Sequence, residues 1–214
     1  MMNRTLQVQS VSKSFHGITI LDHVSWNLEG GKVYGLNAPN GSGKSVLMKC
    51  MCGLMRPDSG KTEYNGKEVS AETIDQFCFG VSIEKPELLN DLSGLANVRY
   101  LASFRGIAKE NEFLKWFHFF SLYEDRNKKA GAYSLGMKQK LMLIQAFMED
   151  PDVILLDEVT SSLDQKTKQL LAQVIAHERE NGKILVMIDH DKDELHALCD
   201  EICTIEERRL VKCG

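Results

Sequence analysis

The sequence predicts an α/β protein: a mixed, largely parallel sheet with an α-helical lobe inserted in it. Three observations carry that expectation. Short β-branched runs alternate with longer helical stretches, the pattern of strand–helix–strand units. Two of those runs, residues 153–156 and Ile184–Ile188, are apolar throughout, as strands covered on both faces of a parallel sheet are. Between residues 88 and 133 the periodicity is helical and no buried strand interrupts it.

Residues 5–11, 24–28 and Lys32–Leu36 read as strands, followed by a helix over Lys44–Met51. A compact run at 77–83 reads as the next strand. In the lobe, segments 92–105 and 109–121 carry apolar residues at i, i+3 and i+4. Trp116, Phe117, Phe119 and Phe120 crowd one short segment there and read as the lobe's packed core. Helices at 138–150 and 166–181 flank the strand at 153–156, and the second stops at Asn181-Gly182. Residues 201–205 and 209–212 close the chain as an antiparallel pair. The expected division is a core of residues 1–87 and 134–214, with the lobe at about 88–133.

Composition excludes more than it identifies. The 214 residues suffice for one sizeable core. A formal net charge of -4 gives no electrostatic case for nucleic acid, and none is expected as a partner. No stretch approaches the roughly 18 apolar residues of a membrane span; the longest patch, 141–148, is interrupted by Gln145. The first residues lack the apolar segment of a secretory signal. The chain is therefore expected in the cytoplasm, reaching a membrane only through a partner. Of six cysteines, Cys50 and Cys52 are two apart, while Cys199 and Cys203 read as i, i+4 on a helix. Neither pair has zinc-ligand spacing, so reduced thiols packed as small hydrophobes are expected.

Between the strand Lys32–Leu36 and the helix Lys44–Met51 lies Asn37-Ala38-Pro39-Asn40-Gly41-Ser42-Gly43. Strand, glycine-bearing loop and a helix opening on Lys-Ser are the context of a phosphate-binding loop. The glycines let successive N–H groups turn toward phosphate oxygens, and the helix N-terminus adds its dipole. Lys44 can reach the β and γ phosphates of a nucleotide, and the Ser45 hydroxyl can ligate Mg2+. The pattern G-x-x-x-x-G-K-[ST] is incomplete, because Ala38 replaces its first glycine. Alanine fits there provided its φ is negative.

The strand at 153–156 runs into Asp157-Glu158. Ligands gather at the carboxyl ends of parallel strands. Asp157 is therefore expected beside the loop, holding the metal directly or through water, and Glu158 is placed to polarise an attacking water.

With these motifs in hand, nearly the whole chain resembles the ATP-binding subunit of ABC transporters. The segment Tyr133-Ser134-Leu135-Gly136-Met137-Lys138-Gln139-Lys140 is similar to that family's signature, with Ser134 and Gly136 matching and Tyr133, Leu135 and Met137 departing. This variant is similar to that of exporter-type members. Ser161-Ser162-Leu163-Asp164 resembles the D-loop, His190 the switch histidine and Phe15 the aromatic that stacks on adenine. The resemblance implies a P-loop NTPase core with an N-terminal antiparallel β subdomain. It implies ATP and Mg2+ as cofactors, with Lys44, Glu158 and His190 acting in hydrolysis. The nucleotide would be held by Phe15, by loop residues Ala38, Pro39, Asn40, Gly41, Ser42, Gly43, Lys44 and Ser45, by Asp164, and by Ser134 and Gly136 of a second subunit. Ser45, Asp157 and Glu84 would face the metal. Glu84 stands where the family usually has glutamine, and Val159 where it often has proline.

The implied function is ATP hydrolysis powering transport, in the export direction, through a separate membrane permease. The implied assembly is a head-to-tail dimer with a second, identical cassette. Two rivals share part of the motif set. A soluble ATPase of the same type acting on ribosomes or DNA usually carries two cassettes, or coiled-coil or zinc insertions, and this chain has one cassette with neither. A small-molecule kinase explains Lys44 and Ser45 but leaves segment 133–140 without a purpose.

Overall fold

The computed structural model describes residues 4–83, 87–106 and 109–213. Two sheets organise it. The first is antiparallel: a long hairpin of β1 (Thr5–Phe15) and β2 (Ile18–Glu29) is extended by β4 (Ser59–Tyr64) and β5 (Lys67–Glu68), in the order β2-β1-β4-β5. The second has six strands in the order β10 (Arg209–Cys213), β9 (Glu201–Glu206), β3 (Lys32–Leu36), β8 (Ile184–Ile188), β7 (Val153–Asp157) and β6 (Phe79–Ser82). All pair in parallel except β10, which folds back antiparallel on β9.

Every position of β7 and β8 is buried, and their side chains alternate between two cores. Leu155 and Val186 join Leu6, Leu28, Leu36 and Leu47 beneath the antiparallel sheet. Ile154, Leu156, Leu185 and Met187 face the other way, against Leu143 and Ile144 of α4 (Leu135–Phe147) and Leu171 and Ile175 of α5 (Gln165–Glu180). Double coverage explains why these strands read as unbroken apolar runs. Each such side chain contributes roughly 1.5–3 kcal/mol by leaving water.

Helices α2 (Gly94–Ser103) and α3 (Glu110–Phe119) pack on α4. Phe117 and Phe120 are fully buried there, and Trp116 stacks on Phe120. Helix α1 (Lys44–Met51) follows β3, and α6 (Lys192–Leu198) precedes β9.

The structure differs from expectation in four places, the first being that β1 runs on to Phe15 and β2 begins at Ile18, where shorter strands at 5–11 and 24–28 were expected. Helix α4 opens at Leu135, three residues early, because the Ser134 hydroxyl caps it by accepting from the Met137 N–H at 3.3 Å. Strands β4 and β5 were not anticipated. Their residues are mostly polar and exposed, although the turn Asn65-Gly66, with φ of 50° and 77°, is a hairpin signal. Cys199 and Cys203 do not share a helix. Cys199 ends α6 and Cys203 lies in β9, the chain turning between them at Asp200.

Candidate functional site

Strand register decides what meets at the site. Leu36, the last residue of β3, pairs with Ile188, the last of β8, and Ile188 pairs in turn with Asp157, the last of β7. Three strands therefore end side by side. The segments leaving them are the loop 37–43, the dipeptide Asp189-His190 and Glu158.

The loop turns through two glycines in the left-handed region, Gly41 (φ 78°) and Gly43 (φ 99°), the latter at the start of α1. A Cβ on Gly43 would lie 2.8 Å from Ile20, so both conformation and space require glycine. Ala38 is buried and is not among the residues with positive φ, which is why alanine can stand where the pattern has glycine. The Lys44 ammonium is folded back into the loop, donating to the carbonyls of Ala38 at 2.6 Å and Pro39 at 3.2 Å. Burial lowers its pKa from the usual 10.5, and the charges of Glu158 and Asp157 oppose that shift. A cation held inside a loop of backbone dipoles is matched to an anionic group of phosphate size.

The Ser45 hydroxyl donates to Asp157 Oδ2 at 2.7 Å across the gap between α1 and β7. The Ser42 hydroxyl, in the same loop, is buried with no hydrogen-bond partner among the described residues. One hydroxyl and one carboxylate beside a phosphate cradle suit Mg2+, which keeps several waters and takes phosphate oxygens as its other ligands.

Glu158 leaves β7 with φ 50°, a conformation sparsely populated by side-chain-bearing residues. Its N–H is tied to the Ile188 carbonyl at 2.9 Å. Its carboxylate meets His190 Nε2 at 2.6 Å, both side chains being nearly half exposed. A carboxylate paired with an imidazole beside a phosphate cradle can orient a water and accept its proton.

Phe15 ends β1 opposite Ile18 at the hairpin tip, and Ile20 of the same hairpin touches Gly43. The ring is 39 % exposed, offering a flat apolar face near the loop. Ser134, Gly136 and Asp164 form a separate group. Ser134 is exposed at the start of α4, a Cβ on Gly136 would meet the Ser162 carbonyl at 3.1 Å, and Lys140 pairs with Asp164 at 3.4 Å. Asp164 itself caps α5 through the Thr167 N–H at 2.7 Å. Glu84 lies outside the described residues.

Residues 21–161 match the family described as ABC transporter. The chain belongs to that family. A cassette from Bacillus subtilis, the uncharacterized ABC transporter ATP-binding protein YybJ, is 31% identical over 96% of this chain and 94% of its own. The lantibiotic transport ATP-binding protein SrtF of Streptococcus pyogenes is 32% identical over 96% of this chain and 89% of its own. Among solved structures, the cassette MJ0796, in a dimeric post-hydrolysis state bound to ADP and Pi, superposes with a TM-score of 0.88 over 98% of this chain and 99% of its own, at 22% identity. The present cassette is thus an ATP-binding, ATP-hydrolysing member of a family of transport proteins.

Sequence reasoning missed three residues that lie beside this candidate site. Asn37, Thr160 and Asp189 form hydrogen bonds around the residues that leave β3, β7 and β8. Asn37 and Asp189 are polar residues directly after apolar parallel strands, and that position was the available signal.

Proposed function

We propose that this chain is the ATP-hydrolysing subunit of an exporter whose membrane permease is a separate protein. The observation that carries the reading is the meeting of Lys44, Ser45 and Asp157 with the Glu158–His190 pair at three adjacent strand ends. ATP lies along the loop, with its base against Phe15 and its phosphates around Lys44. Ser45 and Asp157 hold Mg2+, which neutralises phosphate charge when bound. Glu158 accepts the proton of the attacking water, and His190 keeps the carboxylate and the γ-phosphate in register.

A second cassette, identical to the first, completes the site. The exposed Ser134 hydroxyl, Gly136 and the segment ending at Asp164 stand together, separate from the chain's own phosphate loop, and face ATP bound to the partner. The helical lobe at about 88–133 passes closure of this dimer to the permease. No helix among the described residues is long and apolar enough to cross a membrane. The likeness to a lantibiotic transport ATPase and the exporter-like form of segment 133–140 support export.

The test is purification of the tagged cassette from native membranes. A co-purifying multi-span protein, with ATP-driven efflux from whole cells lost on its deletion, is the expected result. A cassette that never associates with a membrane protein overturns the transport reading, and accumulation rather than efflux overturns the direction.

A further inference from the structure

The hydrolytic pair depends on where Asp189-His190 sits, and the chain fixes that dipeptide from two sides. Asn37, the first residue of the phosphate loop, donates its side-chain Nδ2 to the Asp189 carbonyl at 2.9 Å and to the His190 carbonyl at 3.3 Å. Asn37 is itself anchored, its backbone N–H donating to the Cys203 carbonyl in β9 at 2.9 Å. From the opposite side, the Thr160 hydroxyl hydrogen-bonds Asp189 Oδ2, and Asp189 Oδ1 accepts the Asp191 N–H at 2.9 Å. Asp189 is only 6 % exposed. A carboxylate buried to that degree is tolerated where donors satisfy it. The dipeptide is thus held between the first residue of the phosphate loop and the segment that follows Glu158.

We propose that Asn37 is a positioning residue for hydrolysis, holding the His190 backbone so that its ring stays against Glu158. The side-chain amide links the loop carrying Lys44 to the carbonyls of Asp189 and His190, so movement of the loop on binding phosphate reaches the hydrolytic pair through it. A donor is required at this place. Asparagine supplies two N–H groups for the two carbonyls, while aspartate would set a third acceptor against them. Small displacements of a reacting group are costly, about 100-fold in rate for roughly 1 Å. Loss of the amide should therefore act on turnover rather than on nucleotide affinity.

This inference rests on the roles proposed for Glu158 and His190, and the experiment separates the two. Steady-state ATPase kinetics are measured on the full chain for Asn37→Ala, Asn37→Asp, His190→Ala and Glu158→Gln, with residual turnover followed by radiolabelled ATP. Asn37→Ala and Asn37→Asp are expected to lower kcat by about tenfold or more, leaving KM for ATP within about twofold. In a His190→Ala background the same Asn37→Ala change should cost less than about twofold, because its effect passes through the absent ring. Normal kcat in Asn37→Ala overturns the inference, as does a raised KM at constant kcat or a loss of full size in the His190→Ala background. Wild-type turnover in His190→Ala and Glu158→Gln would instead overturn the roles of the pair themselves.

Discussion

Lys44 shows how much of this site is settled by single side chains. Its ammonium is almost wholly buried, yet it lies against two carbonyls rather than a carboxylate, while burial disfavours its charge. An incoming phosphate offers a full negative charge where the loop offers only dipoles. Charge-assisted hydrogen bonds are worth roughly 1.5–3 kcal/mol each. Lys44→Ala should therefore weaken ATP binding by about 10- to 100-fold, read as a shift in Kd with a fluorescent nucleotide. Unchanged affinity would remove the loop as the nucleotide site. Ser45 gives a second, independent readout. Its hydroxyl already reaches Asp157, so Ser45→Ala should raise the Mg2+ concentration needed for half-maximal turnover, with little change in Mg2+-free nucleotide binding.

At the scale of elements, helix caps and close strand–helix approaches do the positioning. Asp164 caps α5 and thereby fixes the end of segment 161–164. The Thr167 N–H lowers its carboxyl below the ordinary 3.8. A folded pKa below the unfolded one means that the cap's contribution is present above about pH 3.8 and is lost as pH falls through the folded value. Asp164→Ala should cost about 1 kcal/mol near neutral pH, and Asp164→Ser should recover most of it, as urea midpoints would show. Gly80 makes a sharper case. A Cβ on it would stand 1.9 Å from the Ala146 carbonyl, so Gly80→Ala should force β6 away from α4 at a cost of about 3 kcal/mol or more, measured by the same unfolding. These contacts also show what sequence could and could not supply. Strands β3, β7 and β8 and helix α1 were legible because each carries an uninterrupted pattern or a motif. Strands β4 and β5 were not, because β4 is mostly polar and exposed and β5 is a two-residue edge strand, so neither carries a hydrophobic period. Lys44 and Ser45 were likewise expected from the loop motif before α1, Asp157 and Glu158 from an acidic pair at a strand end, and His190 from the family resemblance. Asn37, Thr160 and Asp189 were not, because their work is hydrogen bonding between segments far apart in sequence, which only register reveals.

For the whole molecule, what decides is that the residues proposed to face nucleotide fall in two groups. Lys44, Ser45, Asp157, Glu158 and His190 converge at the strand ends, whereas Ser134, Gly136 and Asp164 gather around the start of α4, with Leu135 59 % exposed beside them. A single chain that uses both groups on one ATP needs a second copy to bring them together, and a two-fold dimer does so twice. Binding and hydrolysis then have opposite effects on assembly. In the proposed dimer ATP would bridge the two chains, and loss of the γ-phosphate would remove the bridge. Glu158→Gln keeps the size of the side chain and the His190 contact but removes the charged acceptor for a proton. It should bind ATP with near-normal affinity, lower turnover by at least about 100-fold, and run as a dimer with ATP and a monomer with ADP in size-exclusion chromatography with light scattering. Adding Ser134→Ala should weaken that ATP-dependent dimer while leaving monomer ATP binding intact, since Ser134 would act on the partner's nucleotide. A Glu158→Gln chain that stays monomeric at saturating ATP, or one that turns ATP over normally, would separate these two groups of residues for good and leave the phosphate loop to work alone.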